Sequence, residues 1–480
     1  MTPSPLLTTG IVCMLSGAFG QTWPSREFRA VWVATVANLD WPSSKHLSSS
    51  QQQAEMVALL DKMETLNLNS LVFQIRPASD AVYNSSLEPW SRYLSGTEGN
   101  PPSPFYDPLQ FVLNESHKRN IEVHAWFNPY RAYLDGWLAK KYPQYAHSIG
   151  GNSVVMDPGA KVVQDHVYNV FTDVINRYDI DGVHMDDYFY PYPGSAVHFD
   201  DHITYNAYKA AGGKLSLADW RRDNVNTLVK RLSDMIHVKK PWVKFGISPF
   251  GIWEAGHPPG ITGLSSYDAI YADSRKWIRE GWLDYLTPQL YWKIDPPQQS
   301  YTALLDWWLQ QNPHHHHVYP GNAAYRVFDK SHWPVTEIQR QVEETRHRAA
   351  QNSLGNVLFR MGSLHSSVYG IFHDNLYSNP ALAPIMSWLH TSFTGPAIPQ
   401  NVVTGPSYIT WSVDETGTVR SWAVYELNGA SWKLVKVMNR DIVYFTVPRH
   451  GKYAVRGVDR LSRESGEVVV VVSGNISVLG

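Results

Sequence analysis

Between Glu27 and Leu389 the chain switches repeatedly between two hydrophobic periods, and this alternation limits its possible folds more than any other feature. Short apolar runs rich in β-branched and aromatic residues, such as Phe28 to Thr35 (FRAVWVAT), precede longer stretches whose apolar residues recur every three or four positions. Between Gln51 and Leu66, for example, Met56, Leu59, Leu60, Met63 and Leu66 share one helical side. Strands are expected at 28–35, 71–76, 121–127, 182–185, 243–247, within 283–291, at 317–320 and at 357–360. Further helices are expected at 108–118, 161–178, 217–236 (opened by Ser216), 269–279, 301–309 and 335–350. A last short helix is expected at 380–389, with Asn379 as N-cap and Pro380 in its first turn. Near-continuous apolar strands alternating with helices mean a parallel sheet covered by helices. Eight such units are the number that closes a (β/α)8 TIM barrel, so the expected class is α/β; a doubly wound sheet is the alternative.

After Thr394-Gly395-Pro396 the helical period stops. Short alternating runs follow at 408–413, 422–427, 432–437, 442–447, 453–458 and 468–472, the pattern of a small all-β sandwich. Trp411, the Trp422-Ala423-Val424-Tyr425 run and the segment from Tyr453 to Asp459 resemble a fibronectin type III domain, with Tyr453 placed for a tyrosine corner. The expected organisation is a barrel over 25–393 and a C-terminal fibronectin type III-like sandwich over 397–475.

Residues 1–20 read as a signal peptide: Leu6 to Leu15 is apolar but too short to span a membrane, and Ala18-Phe19-Gly20 fits a small-x-small cleavage site. Secretion is therefore expected. The only cysteine, Cys13, lies in that leader, which excludes a Cys nucleophile and Cys-based metal sites in the mature chain. Sequons at Asn84, Asn114 and Asn475 would accept glycans in a eukaryotic host. With 41 basic and 43 acidic side chains the chain lacks the basic excess of a nucleic-acid binder. Nineteen Trp and 27 Tyr supply either a large aromatic core or the ring faces that a sugar-binding cleft needs.

In a barrel, chemistry belongs at the C-terminal strand ends. There stand Asp40-Trp41, Gln74-Ile75-Arg76 with Asp80, and Trp126-Phe127-Asn128-Pro129-Tyr130-Arg131. The fourth strand runs through His184-Met185-Asp186-Asp187-Tyr188, the fifth into Phe250-Gly251-Ile252-Trp253, and the sixth into Gln289-Leu290-Tyr291-Trp292. Period two aims His184 and Asp186 at the same side, with Val183 and Met185 on the other.

The segments EFRAVWVATVANLDWPS, FQIRPASDAVY, AWFNPYR, DGVHMDDYFYPYP, WRRDNV, GISPFGIW and LDYLTPQLYW, in order over most of 27–390, resemble glycosyl-hydrolase-like family ten. The resemblance implies a (β/α)8 barrel acting on bacterial cell-wall glycan, with peptide-free peptidoglycan strands as the substrate class. Glu254 stands where that family usually has a basic residue.

Asp186 and Asp187 are the candidate catalytic residues. A retaining pair of carboxyls lies about 5 Å apart across the bond and an inverting pair roughly 6.5–9.5 Å, and adjacent residues at one strand end rarely flank a bond from opposite faces. No matching carboxylate follows the sixth strand, where Gln289 and Tyr291 sit. That favours substrate assistance, because the adjacent pair is similar to those of hexosaminidases that use the 2-acetamido group as nucleophile. Asp186 would then orient the acetamide and Asp187 act as general acid; a conventional pair of Asp186 and Glu254 is the runner-up. Candidate substrate-binding residues are Arg76, Asp80, Trp126, Asn128, Tyr130, His184, Tyr188, Gln289, Tyr291 and Trp292, with Trp292 the foremost stacking platform. His314 to His317 reads as a solvated loop, so no metal and no cofactor is implied. The expected function is a secreted glycoside hydrolase of N-acetylhexosamine-containing polysaccharide, whose partner is its glycan and neither nucleic acid nor a membrane. A non-catalytic carbohydrate-binding or adhesion protein is the alternative.

Overall fold

The computed structural model describes residues 24–194, 199–392 and 394–473. The leader at 1–20, with Cys13, and the Asn475 sequon lie outside the described residues. The first half of the chain runs β1 (Phe28–Val33), α1 (Ser49–Thr65), β2 (Ser70–Arg76), α2 (Arg92–Ser95), α3 (Pro108–Lys118), β3 (Glu122–Phe127), β4 (Arg131–Tyr133), α4 (Trp137–Lys141), β5 (Ala146–Gly150), β6 (Ser153–Met156), α5 (Lys161–Arg177) and β7 (Gly182–Met185). It continues through α6 (His202–Ala210), α7 (Leu217–Lys239), β8 (Lys244–Ile247), α8 (Ser266–Ala269), α9 (Ser274–Arg279), β9 (Tyr285–Leu286), α10 (Tyr301–Gln310), β10 (His317–Val318), β11 (Gly321–Asn322), α11 (Val335–His347), β12 (Gly355–Leu358) and α12 (Ser366–Ile371).

Nine strands form one parallel sheet in the order β10-β9-β8-β7-β3-β2-β1-β12-β11. Its two outermost members, β10 and β11, are separated in the chain only by Tyr319 and Pro320, so the sheet curls round until its margins meet along one stretch of chain. Bridges from Gln289 to Gly321 and from Val318 to Ser353 tie those margins together. Every strand expected from the apolar runs is present, the seventh as the two pieces β10 and β11. The stretch expected as one helix at 269–279 is broken into α8 and α9. The antiparallel flap β4-β6-β5, an insertion after β3, was not anticipated.

Period two along the strands sorts the core into two shells. Val31, Val33, Val123, Phe127, Val183 and Met185 point out to the helices, in one apolar cluster with Met56, Leu60, Val170 and Val174. Phe28, Ala30, Trp32, Trp126, Tyr285, Tyr319 and Val357 point inward. Phe28 and Tyr319 stack with centroids 4.2 Å apart. These rings fit because glycines face them: a Cβ on Gly182 would collide with the His124 ring, and one on Gly246 with the Tyr285 ring.

The segment 380–389 forms no helix. Pro384 lacks an amide donor and its ring would clash with the carbonyl four residues back, at Pro380, which breaks the expected helix in its middle. Instead Leu382 pairs with the N-terminal segment through Leu382 N to Ser25 O and Glu27 N to Leu382 O, both 2.9 Å. Met386 and Leu389 then join the inner cluster, together with Leu461 from the C-terminal part. Trp388 donates to Asp284 at 2.8 Å and stacks on His316 at 4.3 Å. The histidine run is thus only partly the solvated loop expected: His314 and His315 are exposed, while His317 is buried.

The C-terminal part pairs a sheet of β13 (Val403–Thr404), β14 (Tyr408–Thr410) and β17 (Tyr444–Thr446) with one of β16 (Ser431–Asn439), β15 (Ser421–Asn428), β18 (Gly451–Val458) and β19 (Val468–Val472). Ile409, Trp411, Trp422, Val424, Tyr453 and Val455 fill the space between them. The Tyr453 hydroxyl donates to Arg449 O at 2.8 Å. Arg420 reaches buried Asp181, just before β7, at 2.9 Å, which joins this unit to the sheet beneath the strand that ends in Asp186.

Gly246→Ala must push the Tyr285 ring out of its place inside the curled sheet. We expect a loss of roughly 1–3 kcal/mol in urea-unfolding stability, the usual cost of overpacking a filled core. Unchanged stability would mean that the inner shell is loosely packed.

Candidate active site

Asp186 continues the inward-facing side of β7 defined by Gly182 and His184 and opens at the C-terminal end of the sheet, with Asp187 beside it. Both line a cavity of about 280 Å³ with Trp32, Trp126, Arg131, Tyr188, Gln289 and Tyr291. Asp186 is 5% exposed and Asp187 6%, so two neighbouring carboxylates sit almost out of reach of bulk water.

A chain of hydrogen bonds with a forced polarity holds Asp186. The backbone N–H groups of Thr35 and Val36 both donate to Gln74 Oε1 at 2.9 Å. Gln74 must then present its amide nitrogen to Asn128 Oδ1, at 2.6 Å. Asn128 Nδ2 in turn donates to both Asp186 oxygens, at 2.8 and 2.7 Å. Asp187 accepts a hydrogen bond from the Tyr192 hydroxyl, and the Gln289 side chain also bonds to it.

Burial, and then the charge of Asp187, pushes Asp186 up to about 7, against the pull of Arg131 and Asn128. Burial raises Asp187 as well, against the hydrogen bonds from Tyr192 and Gln289. Two such groups in contact titrate as one unit, so the pair holds a proton above the ordinary carboxylate range. Burial also raises the Tyr291 hydroxyl far above its ordinary value, so it remains a donor. Two buried polar atoms of the cavity wall, Trp126 Nε1 and Ser248 Oγ, have no partner among the described residues. The arrangement offers one acid, one fixed anion and several donors around a space lined by aromatic rings.

Of the residues singled out from sequence, the structure brings Asp186, Asp187, Trp126, Tyr188, Gln289 and Tyr291 to the cavity, with Asn128 directly behind Asp186. Arg76 stands apart from it. It is fully buried, grips Glu88, and donates to Asn128 O at 2.6 Å and Pro129 O at 3.0 Å, so it braces the loop that carries Asn128. Asp80 is buried elsewhere, accepts from Ala78 N at 3.0 Å and is raised to about 6 by burial. Tyr130 is fully buried away from the cavity wall. Trp292 packs edge-on against Phe250 at 5.6 Å instead of lining the cavity. Glu254 lies outside the cavity, 3.3 Å from His257.

Among the described residues, His184 makes no hydrogen bond to Asp186. It lies beneath Trp32, whose indole N–H donates to His184 Nε2 at 3.3 Å. That fixes the proton on Nδ1, which donates to the Tyr285 hydroxyl at 3.0 Å; Tyr285 donates to His124 Nδ1 at 2.7 Å. Burial holds His184 well below its ordinary pKa, so it stays neutral. Trp32, Gln74, Arg131 and Tyr192 were not singled out. Trp32 reads as strand core, and only the inward period it shares with Phe28 and Ala30 marks it. Arg131 and Tyr192 lie at the ends of the AWFNPYR and DGVHMDDYFYPYP segments, and position after a strand was the available signal.

Residues 27–333 match the family described as Glycosyl hydrolase-like 10. Glycosyl hydrolase YngK of Bacillus subtilis is 41% identical over 383 residues, covering 76% of this chain and 74% of that protein. Glycosyl hydrolase DigH of Escherichia coli is 37% identical over 373 residues, covering 70% of this chain and 83% of that protein. Among solved structures, the catalytic domain of a β-amylase from Paenibacillus polymyxa aligns with a TM-score of 0.48 at 11% identity, covering 74% of this chain and 99% of that one.

The raised carboxyl at Asp186 predicts how stability depends on pH. Its folded pKa of about 7 lies above the unfolded value of 3.8. The group therefore favours the fold fully below the unfolded value, and that contribution fades as pH rises through the folded one. Asp186→Asn removes the part of the dependence that Asp186 contributes. The melting temperature of the variant relative to the parent should be several degrees higher at pH 8 than at pH 5; an offset independent of pH would contradict the assignment.

Proposed function

Because the chain belongs to the glycosyl hydrolase-like 10 family and is a glycoside hydrolase, we propose that it is a secreted enzyme cleaving N-acetylhexosamine-containing polysaccharide, with peptide-free peptidoglycan strands as the substrate. The curled sheet is read as a (β/α)8 barrel in which β10 and β11 are two halves of the seventh stave. The C-terminal unit is read as a fibronectin type III-like sandwich, supported by its three-plus-four strand order and the Tyr453 hydroxyl bond to Arg449 O.

One observation carries the mechanism. Asp186 and Asp187 are the only carboxylates among the described residues of the cavity wall, and they stand side by side. A carboxylate nucleophile or base across the bond is therefore not at hand, and the substrate's own acetamide oxygen takes that part. Asp186, held by Asn128, accepts the acetamide N–H. That bond favours the Asp186 anion, so the shared proton moves to Asp187, which delivers it to the leaving glycosidic oxygen. The acetamide oxygen attacks C1 as the C1–O bond breaks, giving an oxazolinium ion. Asp187, now ionised, takes a proton from the water that opens the ring, and the original configuration at C1 is restored. Tyr291 donates to the acetamide oxygen, and the Trp126 and Tyr188 rings take the faces of the sugar.

Asp187→Asn should lower kcat by about 10²- to 10⁴-fold, the usual contribution of a general acid, with KM little changed. Reducing-end release from peptide-free strands measures this. A thiazoline analogue of the intermediate should inhibit the parent enzyme competitively. Full cleavage of a substrate lacking the acetamide, together with no binding of the thiazoline, would overturn the mechanism.

A further inference from the structure

A second cleft, of about 440 Å³, opens beside the cavity and shares Val36, Arg131, Tyr188 and Tyr192 with the first or with its carboxylate pair. Its remaining wall comes from the flap, through Tyr133, Ile149, Ser153 and Val155, from Tyr93, and from Phe189, Tyr190 and Pro191 after β7. Arg131 opens β4, where it pairs with Val155 of β6, and Tyr133 follows two residues on along the same side. The Arg131 guanidinium lies over the Tyr188 ring, 4.2 Å from its centroid. Among the described residues it makes no ion pair, unlike buried Arg76, which is held by Glu88, or Arg92, which is held by Glu98 and Asp135. Its field reaches Asp186 and Asp187 without outweighing their burial.

We infer that Arg131 is a specificity residue that binds a carboxylate on the substrate, and that the cleft takes the sugar unit bearing it. The inference rests on the proposed glycosidase site and names the chemistry of the unit beside the bond: an acidic sugar with an ether-linked or ring carboxylate. A planar guanidinium offers two parallel N–H donors to a carboxylate. Stacking on Tyr188 keeps that fork in place. The apolar flap wall removes competing water and suits a short alkyl substituent.

The test uses peptide-free glycan strands that carry free lactyl carboxylates and the same strands with those carboxyls reduced to alcohols. Binding to each is measured by calorimetry, and hydrolysis by reducing-end release, for the full-length protein and for Arg131→Met and Arg131→Lys. The parent should bind the acidic strand on the order of ten-fold more tightly than the reduced one, with the difference in KM and not in kcat. Arg131→Met should erase that ratio, and Arg131→Lys should restore part of it. If Arg131→Met slows both strands equally and shifts the alkaline limb of both pH profiles while the ratio persists, Arg131 only tunes the acid pair and the inference is overturned. A parent that prefers neither strand overturns it as well. Absence of cleavage of either strand would count against the proposed function, while the binding ratio still decides the role of Arg131.

Discussion

Two carboxylates on consecutive residues, buried in one cavity, govern this molecule. They cannot both ionise cheaply, because each is withdrawn from water and each repels the other's charge. They also cannot face each other across a substrate bond, because a single strand end presents them from one side. The first constraint raises the pH at which the site gives up its last carboxyl proton above the ordinary carboxylate range. On the mechanism proposed above, the second leaves the opposite side of the bond to the substrate.

The rest of the fold serves to hold that pair. Asp186 is fixed through Asn128 and Gln74 to the backbone of Thr35 and Val36, so the ends of the first, second and third strands determine which way each amide points. Arg76 braces the same loop from behind through the carbonyls of Asn128 and Pro129. Below the cavity, Trp32 rests on His184, and His184 on Tyr285, in a directed series that ends at His124 and Glu122 beside Lys244. Such a series rigidifies the inner shell, and because it starts at an indole N–H it does not pass protons to Asp186. The Asp181–Arg420 pair extends the same strand's support into the C-terminal unit.

Much of this was legible in the sequence because it follows from periods. Apolar runs located every strand of the curled sheet, and the period of two aimed Asp186 inward on the same side as His184. What failed has physical reasons. Helical spacing in 380–389 ignored Pro384, whose missing donor breaks the helix and leaves the chain to pair with the N-terminal segment through Leu382 and to place Met386 and Leu389 in the inner cluster. The flap was invisible because its strands are short and half polar. Arg76 and Trp292 sit at strand ends as substrate-binding residues should, yet position alone does not tell a side chain that lines a cavity from one that braces its wall. Trp32 was passed over for the converse reason: an aromatic residue within a strand reads as core. Gln74 matters only through partners that lie far from it in sequence. Arg131 lay within a quoted segment, and its role emerges only where the flap meets the cavity.

The central claim is that the pair works from one side of the bond, with the substrate's acetamide on the other. The anomeric configuration of the first product, followed by proton NMR during early turnover of a defined N-acetylhexosamine oligosaccharide, tests it most directly. Retention of configuration is the predicted result, because two displacements at C1 cancel. Inversion would contradict the account, since it requires a base poised on water across the cavity from Asp187.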